Sequence, residues 1–195
     1  MSTETAQRVA QAEAFVSEQR AQADKQIAEC LSGIASGLPG RIDDVARRTA
    51  QNQPDVARSL GSDGVNALRR ELADAAQHLG SELEGSAGEI RWPQASGVTR
   101  IDYRQIHEAL SAFLTGSRLD GIAAVLRRHG FSAGSHSGPS QTLVLPQDLY
   151  DQTKFIPVAA ALSLLGTAEL SLATAKADDD RATVDSLWGD SKLKG

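Results

Sequence analysis

The sequence predicts a mainly α-helical protein: a helical hairpin or bundle that carries a small α+β module. Three observations lead there. Val65, Leu68, Leu72, Ala75, Leu79 and Leu83 recur at steps of three and four, the period of a helix with one narrow apolar seam. Aromatic residues make up 4% of the chain, so Ala, Leu, Val and Ile must supply the core, which suits closely packed helices better than stacked sheets. The stretch Gly85–Gly97, with Gly85, Gly88, Pro93 and Gly97, then divides this helical half from a segment of mixed helix and strand patterns.

Thr5–Ser36 reads as one long helix whose seam is Val9, Ala12, Val16, Ala23, Ile27, Cys30 and Ile34. A seam of mostly small residues does not hold a lone helix, so a partner helix is required. Gly37, Pro39 and Gly40 are expected to end it. Ile42, Val45, Ala46 and Thr49 suggest a short second helix, and Pro54 starts another turn through Leu60. Gly61 breaks the pattern, and Ser62 or Asp63 caps the helix that runs to about Leu83. The heptad pattern does not persist long enough on one helix to require an extended coiled coil.

Glu89–Trp92 reads as a short strand. A helix carrying Tyr103, Ile106, Leu110, Phe113 and Leu114 follows, then a tight turn at Thr115–Ser117. Leu119, Ile122, Val125 and Leu126 mark the next helix, which Gly130 stops. Phe131–Gln141 has loop composition, and Thr142–Leu145 is the clearest strand, with Phe131–Ala133 as its hairpin partner. A short helix is expected over Gln147–Lys154, and a long apolar one from Pro157 to about Ala177. Thr183–Trp188 continues that helix or forms a separate turn, and Asp190–Gly195 is expected to be disordered. The chain thus divides into residues 1–85, a helical hairpin or bundle; 86–146, the α+β module; and 147–195, the apolar helix and its tail.

Composition limits the function. The 195 residues carry a net charge of −5, which argues against a protein that coats polyanions generally. One cysteine, Cys30, allows no internal disulfide and fits a cytoplasmic setting; on its helical stripe it reads as a small buried hydrophobe. The N-terminal residues do not have the pattern of a signal peptide. Phe155–Ala168 lacks charge for 14 residues, short of the roughly 20 that a spanning helix needs, so a buried helix and no membrane contact are expected. His78, His107, His129 and His136 are too widely spaced to suggest a metal site, and phosphate-loop and nucleophile-elbow patterns are missing. Asp178–Asp180 lacks the further ligands of a calcium loop. No cofactor is expected.

Two resemblances bear on residues 63–145. Helix, short strand, helix, tight turn, helix and hairpin is the element order of a winged helix, so the module resembles that architecture. The resemblance makes Arg118–His129 the recognition helix and Ser135–Ser140 the wing. No acidic residue occurs from Gly121 to Gln147, and Arg118, Arg127, Arg128, His129 and His136 gather there as candidates for phosphate contact. Arg127, Arg128 and His129 also suit a helix C-terminus as complements to its dipole. The same stretch, Leu126-Arg127-Arg128-His129-Gly130-Phe131, Gly134-Ser135-His136 and Leu143-Val144-Leu145-Pro146, is similar to HicA-type mRNA interferase toxins. That likeness implies ribonuclease activity with His136 as general base.

The reading that best fits the chain as a whole is non-enzymatic: an assembly, adaptor or regulatory protein that offers helical surfaces to itself or to a protein partner. Val65, Leu68, Leu72, Leu79 and Leu83 on the seam, and Trp188 near the C-terminus, are the candidate partner-binding residues. A nucleic-acid binder dimerised by its long helices is the alternative, and the ribonuclease the third.

Overall fold

The computed structural model describes residues 3–95, 100–133 and 143–192. They form α1 (Thr3–Asn52), α2 (Pro54–Gly85), α3 (Tyr103–Leu114), α4 (Ser117–Arg128) and α5 (Ile156–Lys192), with short 3-10 turns at Pro146–Asp148 and Gln152–Phe155. The protein is mainly helical, as its periodicity predicts. Contacts divide it into two compact units, residues 27–92 with 103–155, and residues 1–26 with 93–102 and 156–195.

In the unit of residues 27–92 and 103–155, the second half of α1 runs antiparallel to α2. Ala35 lies beside Gly80, where an added Cβ would stand 3.4 Å from that of Ala35, and Arg69 pairs with Asp43 at 3.5 Å. Ile27, Leu31, Ile34, Leu38, Ile42 and Val45 present one buried stripe, opposite Leu68, Leu72, Ala76, Leu79 and Leu83. On the far side of α2 lies α4, also antiparallel, with Arg118 at Glu82 and Arg128 at Glu71. Leu119, Ile122, Val125 and Leu126 are buried there, and Ile106, Leu110 and Leu114 of α3 close the core with Tyr150 and Phe155. Buried aliphatic area of this kind is the main stabilising term of such a bundle.

The break expected at Gly37–Gly40 does not occur: α1 continues through Pro39 to Asn52. A proline inside a helix removes one backbone bond and crowds the preceding turn, at about 3 kcal/mol. Here Ile34 and Leu38 before it and Ile42 and Val45 after it bury the same stripe, and that burial outweighs the local penalty. Gly61 does break α2, as its place in the sequence suggests, with φ 63° and ψ −175°. Such backbone favours glycine over any residue with a Cβ.

A winged-helix module is not present, because the described residues contain no strand. Around Glu89–Trp92 the backbone closes into turns instead: Glu89 N–H donates to Ser86 O, and Trp92 Nε1 donates to Ala87 O at 2.9 Å. Ser132 cannot join a ladder, since the Gln53 side-chain amide donates to its carbonyl at 2.7 Å and accepts from its N–H at 3.1 Å. Leu145 N–H is likewise taken by the Asp148 carboxylate, at 2.9 Å. Side chains thus satisfy the backbone groups that strands would have used. The rest of the expected hairpin, residues 134–142, lies outside the described residues, as does 193–195 of the tail.

In the other unit, residues 3–26 of α1 run antiparallel to α5. Three ion pairs fix the register: Arg8–Asp178 at 4.0 Å, Glu13–Lys176 at 3.0 Å and Arg20–Glu169 at 3.0 Å. By this register Val9, Ala12, Val16, Gln19 and Ala23, the less exposed stripe of this part of α1, run along Leu165, Ala168, Leu172 and Ala175 of α5. The seam is closed near Ala23 and Ala168, which are buried, and becomes half-buried towards Val9 and Leu172.

Candidate functional site

Of the residues that the sequence marks as a partner surface, most are core. Leu68, Leu72, Leu79 and Leu83 are buried inside the α1–α2–α4 packing, and Val65 is half-buried. A narrow seam predicts that a helix must be covered; it does not say by what, and here the same chain covers it. Trp188 is different, standing 70% exposed on α5.

Three of the marked cations, Arg118, Arg128 and His129, are engaged by carboxylates of α2. Arg118 Nε donates to Glu82 Oε1 at 2.7 Å and its Nη1 to Phe113 O at 3.1 Å, while its guanidinium lies 3.8 Å from the Phe113 ring centre. Glu89 lies 3.8 Å away on the same group. Arg118 is therefore a staple joining α2, the end of α3 and α4, in a stacked and bidentate-like environment that lysine would not reproduce. Ten residues on, Arg128 Nη2 donates to Glu71 Oε2 at 2.7 Å, and His129 Nε2 lies 3.2 Å from Glu71 Oε1. Bonds from Arg128 and then His129 hold the Glu71 carboxyl below its ordinary range. Arg127 is exposed. The structure thus brings Arg128 and His129 together, leaves Arg118 at the other end of α4, and does not describe His136, which falls within residues 134–142.

Other titratable groups in that unit are structural. Tyr150 Oη lies 2.7 Å from His107 Nδ1, and the two rings pack edge-on with Phe155 beneath them. Burial pushes the Tyr150 phenol up, away from ionisation. Cys30 is buried as its stripe predicts, and burial pushes its thiol up to about 11, against a small opposing pull from Lys154. A thiol so placed is a poor nucleophile. Among the described residues no cluster of His, Cys, Asp or Glu is arranged to hold a metal ion.

The feature that sequence reasoning missed is the outer face of α5. One side of this helix meets α1. A second is covered by residues 93–95 and 100–102: a Cβ on Gly166 would clash with Ala95, and Ser163 Oγ accepts from Ile101 N–H at 2.9 Å. The third side is open, and Ile156, Leu164 and Leu170 stand 56%, 53% and 44% exposed. The hydroxyls along this helix turn inward: Thr167, Ser171 and Thr174 each donate to the carbonyl four residues back, at 3.2, 3.0 and 3.0 Å. Hydroxyls satisfied in this way can lose water at little cost. Glu169 is engaged with Arg20, so no charge stands on the open side between Ile156 and Thr174. The expected buried helix is therefore buried on part of its circumference only. By length and composition the region Gln152–Gly189 could cross a membrane: an 18-residue window within it has mean hydropathy 1.7, and 33% of that window is buried. A signal for the open face was available: Phe155–Ala168 is apolar all round the helix, and such a helix needs cover on every side.

Comparison with known protein families, curated proteins and solved structures finds no match to this chain.

Proposed function

We propose that this is a non-enzymatic assembly or adaptor protein that binds protein through a helical surface, and that the open face of α5 is that surface. One observation carries the proposal: an uncharged stripe with Ile156, Leu164 and Leu170 exposed, on a helix whose hydroxyls are already satisfied. Several large apolar side chains bare on one uncharged face are a mark of a contact surface. Leu187 and Trp188, 67% and 70% exposed further along α5, extend the apolar character towards the C-terminus. Trp is the residue type most often found to anchor such contacts. A cytoplasmic setting belongs to the same proposal, and the buried free thiol of Cys30 is compatible with it.

Nucleic-acid contact through Arg118, Arg128 and His129 receives no such support, because binding phosphate there would first break their bonds to Glu82 and Glu71. The test is site-specific crosslinking in cells that make the chain naturally. A photoreactive residue in place of Leu164 is expected to capture protein, and one in place of exposed Ser62 is not. Capture should vanish when Ile156 and Leu170 are both changed to Arg. No protein captured at position 164, or recovery of the purified chain with lipid vesicles instead, would contradict the proposal.

A further inference from the structure

We infer that the open face of α5 takes a second copy of this chain, packed antiparallel about a two-fold axis between Leu164 and Thr167. The inference rests on the preceding reading and names its partner.

Ile156, Ala160, Leu164, Thr167, Ser171 and Thr174 recur at steps of four, four, three, four and three, and all six are exposed. They make one line along the helix, five turns or about 27 Å long. The line has two unlike halves. Its first half carries the bulk, at Ile156 and Leu164; its second half is small and hydroxylated, at Thr167, Ser171 and Thr174. A two-fold contact brings residue i to residue j and j to i. An antiparallel copy centred on this line therefore sets Leu164 against Thr167, Ala160 against Ser171 and Ile156 against Thr174, twice over. Each large side chain meets a small one. Each hydroxyl it meets has its proton committed to its own helix, by the bonds to Ser163, Thr167 and Leu170 carbonyls, so nothing polar is stranded.

Charge selects the same direction. Asp178, Asp179, Asp180 and Asp185 follow the line on α5. A parallel copy would align these acidic runs with each other, while an antiparallel one sends them to opposite ends. The register of α1 against α5 leaves the line open from Ile156 to Thr174: the Arg20–Glu169 and Glu13–Lys176 pairs lie on the side facing α1, and Arg8 meets Asp178 one turn beyond Thr174. A line of this length falls short of the roughly 800 Å² per partner of a standard interface, so the dimer is of the weak, concentration-dependent kind.

The test is the mass of the purified full chain by light scattering across a dilution series. The expected mass approaches two chains at tens of micromolar and falls to one on dilution. Leu164→Arg and Thr167→Glu, made singly, should each keep the chain monomeric with unchanged circular dichroism. Together in one chain they should restore the dimer, because each Arg then faces the other copy's Glu. A monomer throughout the series, a Leu164→Arg chain that still dimerises, or a double variant that stays monomeric would each overturn the inference. A monomeric chain whose position 164 still captures a different protein in cells would overturn the inference and leave the proposed function standing.

Discussion

Glu71 is a single carboxylate that ties α2 to the end of α4, since Arg128 and His129 both bond it. Its carboxyl is held below the ordinary range, first by the Arg128 bond. A carboxyl depressed in the folded state adds stability above its unfolded pKa, and that stability is lost as pH falls through the folded value. Stability is therefore expected to drop with acid below the ordinary Glu range. Glu71→Gln should flatten that part of the profile, measured by urea midpoints over a pH series. The opposite sign holds for Cys30. Its raised thiol pKa means that the unfolded chain releases the proton first, so stability falls as pH rises above 9 towards about 11. Native Cys30 should resist maleimide at neutral pH and react fully in denaturant. The place of Cys30 was legible from its stripe. The role of Glu71 was not, because nothing local ties it to residues 57 and 58 positions away.

At the scale of elements, helical periodicity carried most of the information. The seam of α2 and the apolar stripes of α3 and α4 identify their buried faces correctly, since those faces meet long-range partners of ordinary apolar kind. Two local signals misled. Gly37, Pro39 and Gly40 are strong helix stops, yet a stripe buried on both sides of them holds α1 together. Thr142–Leu145 has strand composition, yet the Gln53 and Asp148 side chains take the backbone groups that its described part and its intended partner would have paired. Short apolar runs do not reveal who satisfies their backbone. Because Leu79 is core, Leu79→Ala is expected to cost ~2–5 kcal/mol in denaturant unfolding, with no change in the oligomeric mass of the folded fraction. In α5, Asp179 places a buried carboxylate oxygen without a hydrogen-bond partner. Leaving such an oxygen unsatisfied costs about 1–3 kcal/mol, so Asp179→Leu should raise the melting temperature.

For the whole molecule, the distribution of burial separates what is stable from what is available. Fully buried side chains concentrate at Ile27–Ala46, Leu68–Leu83 and Ile106–Leu126, with a further group at Val158–Ala168. Among the described residues, neither α1 before Ala23 nor α5 beyond Ala168 has a buried hydrophobic side chain. Those helix halves should exchange their amide hydrogens first, and the buried stretches last. The candidate site follows the same logic. Sequence patterns find faces that must be covered, and the chain covers Leu68, Leu72, Leu79 and Leu83 by itself. The all-round apolar character of Phe155–Ala168 signals a helix that needs cover, but which of its sides the chain leaves bare, the one with Leu164, follows only from its own contacts. The most direct measurement is the labelling rate of a cysteine at position 164, in a chain with Cys30→Ser, inside cells that make the protein naturally. Against a cysteine at Ser62, labelling at 164 should be strongly suppressed in cells and equal once the chain is denatured. Equal labelling of the two positions in the folded protein in cells would mean that the face stays bare, and would contradict a contact function for α5.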